Sequence, residues 1–336
     1  MKNDLAYTTY YETGSTDPHR NLAFEEYILS TRTQGDILIL WQNRNSVILG
    51  RNQNAYREVN ADFVRSNDIS VVRRTTGGGA VYHDLGNLNY SFITDAAVQD
   101  RVVQERFTAP IVQALQELGL DASASGRNDI LVSGRKVSGT AQRILEGRIL
   151  HHGTLLFDVD PDMIAGALNA DPLKMQSHGV ASVRSRVGNI RPLLAEDMTM
   201  DAFWQYLLSF LLAGGTVLPA ELTAADQAAI HSLQSSKYDT WEWNYGRSPA
   251  FTVTNRKRFP GGTVETCLQV DGGVIRDAVI YGDFMARAPI DPVTNALTGC
   301  PYEEPAVRAA LASIPPEDFA VIFGGITAEE LLDTIF

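Results

Sequence analysis

The chain has 336 residues and a mass of 36.8 kDa, a length that fits two domains, or one large domain with an appendage. Lys and Arg total 28 against 40 Asp and Glu, a net charge of −12, which excludes general binding to a nucleic-acid backbone, a partner that needs a basic face. Two cysteines, Cys267 and Cys300, exclude a disulfide framework and a four-cysteine metal site and suit a reducing cytosol. No apolar run approaches the ~20 residues of a membrane span, and the first ten residues lack a signal-peptide pattern, so a cytoplasmic protein with no membrane attachment is expected.

In chain order, Asp17-Pro18 followed by Asn21-Leu-Ala-Phe-Glu-Glu-Tyr-Ile-Leu29 reads as a capped helix, with apolar positions spaced loosely for one face. Residues 37–41 and 46–49 are β-type runs parted by Asn43-Arg-Asn45, a hairpin-like pattern. A strand at 69–72 enters Gly77-Gly-Gly79, and a strand at 88–93 follows the turn-forming Asp84-Leu-Gly-Asn87. The spacing at 100–118 predicts an amphipathic helix ended by Gly119. Strands are expected at 136–143 and 149–159, with Glu146-Gly147 as the turn, and helices at 161–168, 199–212 and 223–235. Trp241-Glu-Trp-Asn-Tyr-Gly-Arg-Ser-Pro249 is aromatic and then broken by Gly and Pro, which puts a domain boundary there, dividing the chain into 1–247 and 248–336. The tail has strands at 264–270 and 274–281, then helices at 303–313 and 328–335. It holds 6 basic and 12 acidic residues, half of the net charge.

There is no P-loop, no dinucleotide-binding glycine spacing and no His-Glu-x-x-His. Three blocks remain. The first is Arg73-Arg-Thr-Thr-Gly-Gly-Gly-Ala-Val-Tyr-His83, where three glycines after a strand let backbone N–H groups approach a ligand and two arginines add charge suited to phosphate. Taken alone it reads equally as a glycine-rich hairpin with solvated arginines. The second runs from Gly126-Arg-Asn-Asp129 to Ser133-Gly-Arg-Lys136-Val-Ser-Gly139, with Asp129 opening one strand and Lys136 the next among small residues that leave room beside the ammonium. Alone, Lys136 reads more readily as an ordinary surface charge. The third is His151-His-Gly-Thr-Leu155, in which the two imidazoles point to opposite faces of a strand and one meets the ligand side. From Arg127 to Arg148 five basic residues (Arg127, Arg135, Lys136, Arg143, Arg148) face two acidic ones, so this part of the chain is locally cationic.

In this order and spacing the three blocks resemble the lipoate–protein ligase A family, of the bacterial type with a C-terminal accessory domain. Asn21-Leu-Ala-Phe-Glu-Glu26, Trp243-Asn-Tyr-Gly-Arg-Ser-Pro249 and Tyr281-Gly-Asp-Phe284 extend the likeness over nearly the whole chain. The resemblance implies an α+β fold, a biotin/lipoate ligase-like mixed sheet flanked by helices, followed by a small α/β domain. It implies ATP-dependent joining of lipoate to a lysine of lipoyl carrier domains (2-oxoacid dehydrogenase E2 subunits and the glycine cleavage H protein) through lipoyl-AMP.

Carried over by position, Arg74 matches the nucleotide-phosphate arginine and a lipoate contact. Gly79, Ala80, Val81 and Tyr82 match the ATP-contacting stretch. Lys136 matches the catalytic lysine that touches both lipoate and nucleotide. Asp129 is the candidate second catalytic residue and Mg²⁺ contact, and His83 and His152 are candidates for the lipoate pocket, with His151 as the alternative. Val72, Val81, Val137 and Leu155 either line an apolar acyl slot or are plain core. Transferases of the same fold carry the acyl group on a cysteine, and residues 1–266 contain none. An octanoyl or lipoyl transferase that works without a cysteine is the alternative, and a non-catalytic binding paralogue a third reading.

Overall fold

The computed structural model describes residues 9–96, 105–126, 128–169, 187–212, 219–245 and 253–336. Arg127, the first residues of the helix expected from 100, and the boundary at 247/248 lie outside the described residues.

Strand β1 (Thr9–Glu12) leads to helix α1 (Pro18–Thr31), which begins where Asp17 accepts from the His19 N–H and Pro18 supplies a preset φ. Strands β2 (Ile37–Trp41) and β3 (Ser46–Leu49) follow, then short helices α2 (Ala55–Glu58) and α3 (Ala61–Ser66), and strands β4 (Ser70–Arg73), β5 (Val81–His83) and β6 (Asn87–Asp95). Helix α4 (Glu105–Glu117) stops at Gly119, whose φ of +80° permits two closing bonds, Gly119 N–H to Gln116 O and Leu120 N–H to Leu115 O. Four strands then run in sequence: β7 (Ala122–Ser125), β8 (Asp129–Val132), β9 (Arg135–Leu145) and β10 (Arg148–Leu156). Helices α5 (Pro161–Ala167), α6 (Met200–Leu211), α7 (Ala224–Leu233) and α8 (Trp241–Asn244) complete this part.

Among the described residues seven strands form one sheet in the order β1-β2-β6-β10-β9-β8-β7, parallel only at β1-β2. The period of two sorts its faces. Leu88, Tyr90 and Phe92 of β6 join the core under α4 and α6, while Ile93 joins the core with α1 and Ser91 bonds Glu25 of that helix. The pattern at 37–49 predicted a hairpin, and the structure overturns it. β2 pairs with β6 in the large sheet, whereas β3 pairs with β4 and β5 in a separate three-stranded sheet. Two short apolar runs read alike whether or not they pair with each other. The small sheet faces the large one, and the three-glycine loop links its strands β4 and β5.

The tail has its own core beneath an antiparallel sheet of β11 (Val253–Phe259), β12 (Gly262–Asp271) and β13 (Val274–Gly282), with helices α9 (Asp291–Leu297), α10 (Glu304–Ala312), α11 (Pro316–Phe323) and α12 (Ala328–Ile335). β11, α9 and α11 were not anticipated. This unit is fastened to the rest by backbone: Gly77 N–H to Ala286 O (3.1 Å), Gly78 N–H to Phe284 O (3.0 Å), Ile144 N–H to Arg287 O (3.0 Å) and Gly282 N–H to Asn52 O (2.6 Å). Among the described residues no helix is long and apolar enough to cross a membrane.

Candidate active site

Between the two sheets of the larger unit lies an open pocket lined by Arg74, Val81, His83, Lys136 and His152, among others. The local structure of β9 explains how Lys136 gets there. Ile130 pairs with Ser138 and Leu131 with Lys136, so β9 carries one extra residue at that step. Such a bulge changes which face the following side chains take. Val137 and Ser138 are both fully buried behind the sheet, while Lys136 and Gly139 line the pocket. The lysine chain lies across Gly139, where an added Cβ would come 3.3 Å from Nζ. Its Nζ ends 2.6 Å from Asp129 Oδ1, and Asp129 is the register partner of Gly139. Lys136 and Asp129 are 33% and 27% exposed, so the pair opens towards solvent. The turn that joins β8 to β9 has Ser133 and Gly134 at φ +49° and +77°, the geometry of a tight hairpin.

The adjacent histidines divide as strand alternation requires. His151 is fully buried on the far face, stacked 4.9 Å from Phe107 and bonded to Gln142, and burial pushes it down to about 3. His152 faces the pocket. Its Nδ1 lies 2.9 and 3.0 Å from the Glu25 carboxylate, and its Nε2 2.8 Å from Thr76 Oγ1. Thr76 Oγ1 accepts from Arg74 Nε at 2.9 Å, and Glu25 accepts from Ser91, which accepts from Trp41 Nε1. A connected polar line therefore runs from α1 through the histidine to the glycine loop. Glu25 is 3% exposed. Reading the sequence missed it as a site residue, because nothing local to α1 distinguishes Glu25 from Glu26.

The two arginines differ. Arg73 donates to the carbonyls of Trp243, Gly50, Arg51, Gln53 and Asn244, which ties α8 and the turn after β3 to β4. It does not line the pocket, which corrects the expectation that both arginines serve a ligand. Arg74 lines the pocket but also holds the loop, donating to Ile48 O, Gly77 O and Gly79 O. Burial lowers it to about 10, which leaves it cationic at neutral pH.

The glycines do not turn all their N–H groups outward, as expected, since Gly77 and Gly78 donate to the tail. Gly79, Ala80 and Val81 line the pocket, and Tyr82 is buried on the other side in the core with Val47 and Leu49. Of the apolar candidates only Val81 reaches the pocket; Val72, Val137 and Leu155 are core, and Leu22, Trp41 and Ile48 supply the apolar wall instead. The locally cationic stretch is largely paired. Arg143 meets Glu26, which Lys237 and Tyr238 also bond, and Arg148 meets Asp95. Both cysteines lie in the tail, Cys267 buried and Cys300 partly so.

Residues 17–211 match the family described as the lipoyl protein ligase A/B catalytic domain, and residues 248–335 the bacterial lipoate protein ligase C-terminus. The chain is 42% identical over 324 residues to lipoate-protein ligase LplJ of Bacillus subtilis, covering 95% of this chain and 97% of that one. It is similar to a solved bipartite lipoate protein ligase from Thermoplasma acidophilum, described with its E2 lipoyl domain: 30% identity, TM-score 0.63, 74% of this chain and 100% of that one. A structure of lipoate-protein ligase A bound with ATP is similar at 29% identity and TM-score 0.61, over 71% of this chain and 99% of that one.

Proposed function

The chain belongs to the lipoate–protein ligase family, and from that premise we propose how its own residues divide the reaction. The enzyme activates lipoate with ATP and passes the acyl group to a carrier lysine. In the first step a lipoate carboxylate oxygen attacks the α-phosphorus, the bond to the β-phosphate bridging oxygen breaks, and pyrophosphate leaves with that electron pair. In the second, the carrier amine attacks the acyl carbon and loses a proton, while the anhydride C–O bond breaks and AMP leaves.

Step one brings two anions together, so fixed cations matter most. Lys136 is assigned to hold the carboxylate against the α-phosphate, a point charge that meets both at once. The observation that carries this is the ammonium laid across Gly139 into a pocket that Arg74 also lines. Arg74 shapes the loop through three carbonyls and keeps a guanidinium N–H for phosphate. Gly79, Ala80 and Val81 are assigned to the nucleotide, while Tyr82, expected with them, has its side chain in the core and keeps only a backbone role; His83 and His152 are assigned to the acid, whose tail has Leu22, Trp41 and Ile48 as an apolar wall.

The residues present fit magnesium carried on phosphate. Among the described residues no three His, Cys, Asp or Glu gather to cage a metal, and Asp129 stands by the pocket-lining Lys136 and Asn128. One carboxylate with phosphate oxygens and water is an ordinary magnesium arrangement. The ion would neutralise phosphate charge there, with Asp129 as its protein contact.

We further infer a catalytic domain over 1–247 and an accessory domain over 248–336, a cytoplasmic location, and E2 subunits and glycine cleavage H protein as carriers. The Thermoplasma ligase, described with an E2 lipoyl domain, supports carriers of that kind. Purified protein with lipoate, ATP and Mg²⁺ should release pyrophosphate, and an apo-carrier should gain the lipoyl mass only when ATP is present. Equal gain without ATP, or none on several apo-carriers, overturns the reading.

A further inference from the structure

His83 closes β5 and lines the pocket, yet it is only 3% exposed, and its Nε2 has no hydrogen-bond partner among the described residues. Its other nitrogen is held through a chain of amides whose orientation can be read from backbone. The carbonyls of Ser15 and Gln42 lie 3.0 and 2.8 Å from Asn21 Nδ2. Carbonyls only accept, so this amide atom is the nitrogen. The same Nδ2 lies 2.9 Å from Asn43; an amide nitrogen donates and does not accept, so Asn43 turns its oxygen towards it, and one of the two N–H groups is shared between two of the three acceptors. The Asn43 nitrogen then faces His83 Nδ1, at 3.1 Å. A nitrogen that receives an N–H carries no proton, so the imidazole proton sits on Nε2. Asn21 and Asn43 are both fully buried, which leaves them no solvent to trade partners with.

We propose that Asn21 and Asn43 are positioning residues that hold His83 as the Nε2–H tautomer and aim this N–H into the pocket, at a carboxylate oxygen of the acid substrate. The acceptor rests on the ligase reading; the tautomer does not. The charge state agrees. Burial pushes His83 down to about 3, and the two cationic or titratable groups that face it, Arg74 on the loop and His152 on β10, act in the same direction. An uncharged donor suits this position. It orients an acyl oxygen without a mobile proton that would neutralise the nucleophile, leaving Lys136 to supply charge. His83 and His152 thus receive opposite settings. An amide donor holds the first, and the Glu25 carboxylate holds the second.

Nitrogen-15 NMR of the histidines in the intact, substrate-free protein reads the tautomer directly. We expect His83, assigned by its loss in His83→Gln, to show a protonated Nε2 and a bare Nδ1, without titrating from about pH 8 to about pH 5. Asn43→Asp puts an acceptor where a donor was, so the proton should move to Nδ1 and titration should rise towards neutrality. Pyrophosphate release should then lose about a hundredfold in kcat, become pH-dependent, and keep its KM for ATP. His83→Gln, which retains a neutral N–H near the Nε2 position, should keep far more activity than His83→Ala. A wild-type His83 protonated on Nδ1, or titrating near its ordinary value, overturns the positioning whether or not the protein is a ligase. The expected tautomer with full activity in folded His83→Ala overturns the donor role. Absence of pyrophosphate release from wild type overturns the acceptor, and the spectrum still decides the tautomer.

Discussion

Arg73 and Lys136 are both cationic and both sit in motif blocks, but their surroundings assign them opposite costs. Arg73 serves five carbonyls from inside the protein. Lysine has neither the fork nor the donor count to replace it, so Arg73→Lys should cost about 3 kcal/mol through unsatisfied buried carbonyls. Urea unfolding measures this, and an unchanged midpoint would refute it. Lys136 is a third exposed and bonds one carboxylate. Lys136→Ala should therefore leave the unfolding midpoint in place while adenylate formation, followed by pyrophosphate release, falls by orders of magnitude; a pure binder would lose only affinity. The buried imidazoles make a third residue-scale expectation. His83 and His151 are both pushed down to about 3 by burial, against an ordinary value of 6.5. Their full contribution is present above 6.5. As pH falls from there towards 3 the unfolded chain takes up protons that the folded chain refuses, and stability drops by about 1.4 kcal/mol per pH unit for each histidine. A urea midpoint that stays level from pH 7 to pH 5 would contradict this.

Elements carry the next level of control, and the bulge in β9 is the one the site depends on. It sets Val137 and Ser138 behind the sheet and leaves Lys136 over Gly139. Gly139 has an ordinary backbone conformation, and an added Cβ would touch only the flexible end of Lys136. Gly139→Ala should thus keep the melting temperature but displace the ammonium, lowering kcat/KM for lipoate about tenfold or more. Equal kcat/KM in the variant would show that Lys136 does not need this seat. Such details separate what was legible in the sequence from what was not. The strand at Asp129, the strand after Lys136, the opposed histidines and the Gly119 helix stop follow from alternation and turn chemistry, which are local. The parallel pairing of β3 with β4, the bulge, and the selection of Glu25 over Glu26 as the partner of His152 depend on contacts between distant segments. Nothing within a short window encodes them. The arginine pair was ambiguous for the same reason, since the carbonyls that claim Arg73 come from α8 and from the turn after β3.

At the scale of the molecule, the two units meet on the loop that the chemistry needs. The N–H groups of Gly77 and Gly78 donate to carbonyls of residues 284 and 286, and Gly282 and Arg287 add one backbone bond each. A few bonds of roughly 1 kcal/mol each make a contact that binding energy can exceed. Phosphate oxygens are stronger acceptors than carbonyls, because charge-assisted bonds are about twice as strong as neutral ones. An adenylate seated on the loop therefore competes for the donors that hold the accessory unit. We expect this unit to shift between the adenylation and transfer steps, which would also open the site to a carrier protein. Solution scattering with and without a non-hydrolysable lipoyl-AMP analogue tests the shift, and identical profiles would sink it. Gly77→Ala supplies the control. Its Cβ would lie 2.4 Å from the Ala286 N and 2.7 Å from the Phe284 O, backbone atoms that cannot yield as a side chain does. The variant should show the displaced profile without the analogue, and adding the analogue should change it little. If the variant instead scatters like the free wild-type protein, the loop contact does not hold the units together, and the motion must be driven from elsewhere.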